Sequence, residues 1–211
     1  MMMAEPNDAR PFIPDGGGLS ALRQAAAGCR GCHLWRPATQ TVFGEGLKRS
    51  RVMLVGEQPG DREDREGRPF VGPAGRELDK GLEAVGIARD DAYITNVVKH
   101  FKFEERGKRR IHQTPKRFEI EACRPWLDEE LRQVEPDALV ILGATAAKAL
   151  FGSSFRITRE RGRLLESELA PVVSATIHPS AILRAPDERA RIAEREAFTA
   201  DLHVVAAAIG G

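Results

Sequence analysis

The stretch Arg51-Val52-Met53-Leu54-Val55-Gly56, running straight into Glu57-Gln58-Pro59-Gly60, decides the fold. Its apolar run is too short for a buried helix and is stopped by glycine, the pattern of a strand covered on both faces. Three more runs repeat that pattern. Ala92–Thr95 (AYIT) leads into Asn96, Ala138–Leu142 (ALVIL) ends at Gly143, and Val172–Ile177 (VVSATI) ends at His178-Pro179-Ser180. Helical spacing separates them: Arg76–Val85 through Leu78, Leu82 and Val85, and Lys116–Val134 through Phe118, Cys123, Trp126, Leu127 and Leu131. Further helices follow, from Gly143 to Leu150 and, amphipathic, over Asp187–Ile209. Pro125 is expected to bend or interrupt the long helix, because it lacks an N–H and clashes with the preceding turn. Upstream, Leu19–Ala27 reads as a helix closed by Gly28. Gly56–Gly75 and the basic stretch up to Pro115 read as loops, and Leu164–Glu166 as a short extra strand. Strands alternating with helices give an α/β fold, a parallel sheet with helices on both faces. Ligands in such folds bind at the carboxyl ends of the strands.

A chain of 211 residues suits one well-buried domain, expected over 19–211 and acting as a monomer. Residues 1–18 (MMMAEPNDARPFIPDGGG) read as a disordered tail. They contain no apolar signal core, and no apolar run is long enough to span a bilayer, so the expected location is the cytoplasm, with no membrane partner. Lys and Arg number 32 against 31 Asp and Glu, so the overall charge does not point to nucleic acid. Its distribution is more suggestive: Lys99, Lys102, Arg106, Lys108, Arg109, Arg110, Lys116 and Arg117 crowd one stretch. Such a block is either a solvated face or a phosphate-contacting loop whose affinity falls with salt.

Cys29-Arg30-Gly31-Cys32 is a C-x-x-C pair just past a helix end. A redox pair would open a helix after a strand, so metal ligation fits better, with Cys123 as a third ligand and His100 or His33 as a fourth. Cys123 read alone is a small buried hydrophobe. Ligand type leaves zinc and an iron–sulfur cluster both open. Asn96, at a strand end, is either a cap or an amide able to read a base edge, and Phe70 is either core or a stacking face. His178 is either a backbone-satisfied strand-end histidine or a donor at a binding site. His112, in the basic stretch, is by itself an exposed polar residue.

G-E-Q-P-G-D-R-E-D-R-E-G-R-P-F-V-G-P-A-G (56–75), I-T-N-V-V-K (94–99), E-A-C-R-P-W-L (121–127) and H-P-S (178–180) closely resemble the iron–sulfur, family-four branch of the uracil-DNA glycosylases. The likeness runs in order from about Cys29 to Arg184. It implies a three-layer α/β/α sandwich around a short parallel sheet, a [4Fe–4S] cluster, and uracil-containing DNA, single- or double-stranded, as partner. Gln58 stands where that family has Ala, His100 where it has Cys, and Lys108–His112 (KRRIH) is inserted. These departures resemble the UdgX-type branch, which becomes covalently linked to uracil-bearing DNA. The resemblance implies cluster ligands Cys29, Cys32, His100 and Cys123, and a uracil pocket from Gly56, Gln58, Phe70 and Asn96. His178 then stabilises uracil O2, His112 is the nucleophile, and Glu57 orients it and takes its proton, with Asp61 a second candidate. Asp61, Lys108, Arg109, Arg110, Ser180 and Arg184 would face DNA, the basic residues holding the loop or contacting phosphates. Leu183 and Arg184 would enter the space of a flipped base. A conventional multiple-turnover glycosylase and a non-catalytic uracil-DNA sensor are the competing readings. A zinc deaminase lacks its H-x-E…P-C-x-x-C signature.

Overall fold

In the computed structural model, which describes residues 7–210, the four apolar runs become β1 (Val52–Gly56), β2 (Ala92–Asn96), β5 (Ala138–Leu142) and β6 (Val172–Thr176). They form one all-parallel sheet in the order β2-β1-β5-β6. Successive side chains on a strand point to opposite faces, and each face has its own core. On one face Val52, Leu54, Ile94, Val140 and Leu142 pack against Leu78 and Leu82 of α3 (Pro73–Ala84), Ile182 of α7 (Ser180–Leu183), and Phe198, Leu202 and Val205 of α8 (Glu188–Ala208). On the other, Met53, Val55, Tyr93, Leu139, Ile141, Val173 and Ala175 meet Leu127 and Val134 of α4 (Arg117–Val134) and Ala146 and Ala147 of α5 (Ala144–Phe151). The result is the expected α/β/α sandwich. A third cluster joins Leu22 and Ala26 of α1 (Gly18–Ala26) to Cys29, Phe43, Val98, Cys123 and Trp126.

Several expectations need correction. The loop after β1 contains a helix, α2 (Asp61–Glu66), and α3 begins at Pro73 rather than Arg76. α4 runs on through Pro125 without interruption. Leu164 makes only an isolated antiparallel bridge to Ser174 instead of a strand. The expected tail is docked where it is described. Ala9 is buried in the third cluster, and its N–H donates to the Ala122 carbonyl at 2.8 Å. Residues 1–6 lie outside the described part of the chain.

The basic stretch is a hairpin rather than a loop. β3 (Phe103–Arg106) pairs antiparallel with β4 (Arg109–His112), with Phe103 opposite His112. Gly107, at φ +59°, supplies the left-handed position that a two-residue hairpin turn requires. Among the described residues, no helix is long and apolar enough to cross a membrane.

Candidate active site

All four parallel strands end at one cleft of about 830 Å³. β1 delivers Glu57 and Gln58, β2 ends in Asn96, Gly143 follows β5, and His178 follows β6; the hairpin adds His112. The chain packs tightly around the cleft. A Cβ on Gly56 would lie 2.6 Å from Phe70 Cζ and would also strike Asn96 Oδ1. One on Gly75 would run into the Phe70 carbonyl. Phe70 itself is held at φ +54°, a strained backbone state for a bulky residue, and stacks on His178 with ring centroids 5.6 Å apart. Asn96 is buried, and its Oδ1 has no partner. A buried acceptor with nothing to bind, in the lining of a cleft, is poised for a ligand donor.

His178 has a defined proton position. Its Nδ1 accepts the Ser180 N–H at 3.2 Å and meets Ser180 Oγ at 2.8 Å, so the ring proton of the neutral form sits on Nε2. Burial pushes its pKa down to about 4, reinforced by Arg184 and His112 and opposed by Glu57. A neutral N–H donor is therefore available throughout the physiological range. The unfolded chain binds a proton here below about 6.5, whereas the folded chain does so only near 4. Stability should therefore rise with pH across that window. Urea unfolding of wild type and His178→Asn at pH 4.5 and 7 measures this: the variant should lose part of the slope.

Glu57 Oε1 lies 3.3 Å from His112 Nε2. The contact is within ion-pair range but not aligned as a hydrogen bond, so Oε1 remains buried without an aligned donor. Burial raises the Glu57 pKa. The close approach of the His112 ring and a hydrogen bond from Thr145 outweigh it and hold the carboxyl below its ordinary range. An anionic carboxylate thus faces an imidazole at the mouth of an apolar-walled cleft.

A profile of the Uracil DNA glycosylase superfamily matches residues 43–203. The chain belongs to the uracil-DNA glycosylase superfamily. It is 38% identical over 181 residues to the type-4 uracil-DNA glycosylase of Sulfurisphaera tokodaii, spanning 81% of this chain and 78% of that one. Identity to the type-4 enzyme of Pyrobaculum aerophilum is 37%, over 80% of this chain and 86% of the other. For the type-4 enzyme of Thermotoga maritima it is 40%, over 74% and 78%.

Several side chains of this superfamily member have roles that differ from those expected. Gln58 does not offer its amide to the cleft. Its Nε2 donates to the carbonyls of Lys102 (3.2 Å) and Gln113 (3.1 Å), and its Oε1 accepts the Lys102 N–H (2.9 Å). The side chain staples together the two ends of the hairpin that carries His112. Arg110 and Asp61, expected at the DNA interface, are ion-paired with each other. Arg110 also donates to Asp64 at 2.6 Å and lies over the rings of Phe101 and Phe103, 5.4 and 4.9 Å from their centroids. With Arg110 so engaged, the loop-holding half of its expectation describes its contacts. Lys108 and Arg109 stand exposed at the hairpin turn. Ser180 accepts from Arg184 at 2.8 Å while supporting His178, so both back the imidazole.

The candidate metal ligands lie around the third core cluster. Cys29 and Cys123 are buried there with Cys32 at its edge, and each buried thiol receives a donor: Trp126 Nε1 to Cys29 Sγ at 3.3 Å, Lys99 N to Cys123 Sγ at 3.2 Å. His100 is buried with Nε2 on Thr41 Oγ1 at 2.9 Å, and its Nδ1 has no partner. Among the described residues, no three His, Cys, Asp or Glu side chains converge as the ligands of a single ion would.

Sequence reasoning missed Asp64, Thr145 and the clamping role of Gln58. Asp64 sits in a D-R-E-D-R-E run that reads as a solvated face, yet it is fully buried and accepts the Thr39 N–H at 3.0 Å as well as Arg110. Thr145 carried a usable signal: it lies two residues beyond the glycine ending β5, at the strand tips where ligands bind.

Proposed function

We propose that this chain removes uracil from DNA and then holds the exposed deoxyribose covalently through His112. The observation carrying this reading is the 3.3 Å approach of His112 Nε2 to half-buried, anionic Glu57 inside a cleft that also contains Asn96, Phe70 and a neutral His178. A flipped uracil would stack on Phe70 and give its N3–H to Asn96 Oδ1. The bond between C1′ and N1 breaks with its electron pair leaving on uracil, where His178 Nε2–H donates to O2. The sugar becomes oxocarbenium-like. One nitrogen of the His112 imidazole then forms a bond to C1′, and the proton of the other passes to Glu57 and ends on uracil. Imidazole bonded to C1′ leaves poorly, so each molecule turns over once.

The test is incubation with a uracil-containing oligonucleotide, followed by denaturing electrophoresis and peptide mapping. A heat- and detergent-stable shifted band carrying the nucleotide on His112 is expected. Free uracil with recycling enzyme and no shifted band would replace the trap with ordinary turnover. No abasic product at all would reduce the protein to a sensor.

Gln58 supports the same reading through the hairpin. Gln58→Ala should lower the rate of adduct formation about tenfold, the loss of one to two net hydrogen bonds, while uracil release changes less. Rapid-quench assays following both products check this.

Cys29, Cys32, His100 and Cys123 suit a [4Fe–4S] cluster, because each ligand of a cluster meets a different iron and the donors need not converge on one point. The unpartnered His100 Nδ1 and the N–H donors to two cysteine sulfurs fit that donor set. When bound, such a cluster would tie the N-terminal segment to α4 and the chain after β2. Iron and acid-labile sulfide in the purified protein support this assignment, whereas stoichiometric zinc refutes it. Lys108 and Arg109 are proposed as phosphate contacts.

A further inference from the structure

Behind Asn96, on the side away from the cleft opening, a charge pair is sealed in the protein. Lys99 and Glu130 are both completely buried, and their side chains are ion-paired. Charges this deep are usually no more stabilising than a well-packed apolar pair, so their presence calls for a task that an apolar pair cannot perform. Every polar group around them is satisfied. Glu130, on α4, accepts the Gly44 N–H, the Tyr93 hydroxyl and the Thr95 hydroxyl, each at about 3.0 Å. Gly44 has to be glycine for this approach, since a Cβ there would strike Glu130 Oε1. The Lys99 ammonium donates to Glu130, to Thr95 Oγ1 at 2.7 Å and to the main-chain carbonyl of Asn96 at 2.6 Å. That last bond closes the turn by which β2 ends. It reaches the backbone of Asn96, whose buried side-chain acceptor lines the cleft without a partner.

We infer that Lys99, held by Glu130, is a positioning residue that fixes the Asn96 amide in its uracil-reading orientation. The inference rests on the reading of Asn96 as the uracil contact. The ammonium restrains the peptide after Asn96 from behind. In front, the glycine at position 56 makes room for the amide, because Oδ1 lies where a Cβ would otherwise be. The amide thus meets uracil without reorganising on binding, which is the condition for a hydrogen bond to contribute its full strength.

The test compares two double variants of equal charge and similar size, Lys99→Met with Glu130→Gln and Lys99→Gln with Glu130→Gln. Both remove the buried charges and keep an acceptor for Gly44, Tyr93 and Thr95; only the second keeps a donor for the Asn96 carbonyl. The probe is free uracil, read as its inhibition constant in wild-type and variant excision assays, with sucrose present to favour the folded state. The Met variant should bind uracil about tenfold more weakly and raise the half-saturating concentration in single-turnover excision in step, with the maximal rate less affected, while the Gln variant stays within about threefold of wild type. Equal uracil affinity in the two variants overturns the inference. So does failure of both to fold in sucrose, which would make the pair a requirement of the fold. Failure of the wild type to release uracil or bind it is a separate result that strikes the reading of Asn96 itself.

Discussion

His112→Ala should abolish the DNA adduct while uracil continues to be released. The trap and the leaving-group machinery are held by different parts of the chain. His112 sits on the hairpin, whereas Asn96, Phe70 and His178 are held by the parallel strands and the loop after β1. Removing the imidazole leaves that leaving-group apparatus untouched and opens space at a position already close to solvent, since the His112 side chain is 49% exposed. Water can then meet the sugar cation. Covalent yield is expected to fall on the order of 10³-fold, to background, and uracil release to fall by far less, as in other cases where one member of a catalytic unit is lost and the remainder still functions. Gel shift and released-base assays on one reaction separate the two. Persistence of the adduct in this variant would remove His112 as the nucleophile.

Glu57→Gln should slow both steps, by about 10²–10³-fold. The carboxylate is half-buried and kept anionic despite its desolvation, beside two imidazoles. In the proposed reaction it faces positive charge twice, first on the sugar and then on the alkylated ring. The amide has the same shape but no charge, and it takes no proton. Single-turnover excision and crosslinking rates should therefore fall together. An unchanged crosslinking rate would exclude Glu57 from the chemistry.

The sheet was legible because its strands are buried on both faces. RVMLV and ALVIL have no polar alternation to confuse with a surface, AYIT and VVSATI carry only small hydroxyls among their apolar residues, and the residues at the strand ends line the cleft. The hairpin was not legible. Phe103–Arg106 and Arg109–His112 bury neither face fully, so charge dominates and the stretch reads as a loop. α2 was hidden for the same reason: D-R-E-D-R-E has no apolar period, and its burial comes from Arg110, some 46 to 49 positions later in the chain. Gln58 joined the uracil pocket through the resemblance alone, and no sequence feature shows what its side-chain amide holds. Only the approach of Lys102 and Gln113 reveals that its hydrogen-bonding groups are already committed.

None of the three apolar clusters contains a residue between 103 and 112. The hairpin that carries His112 is therefore an accessory, fastened to the scaffold by one amide, one guanidinium and the stacking of Phe103 on Phe101 rather than woven into its interior. An arm attached in this way can be transplanted: if the proposed trap is correct, a relative with a similar strand-tip cleft would need only the arm and its few fasteners to gain it, with little repacking beneath.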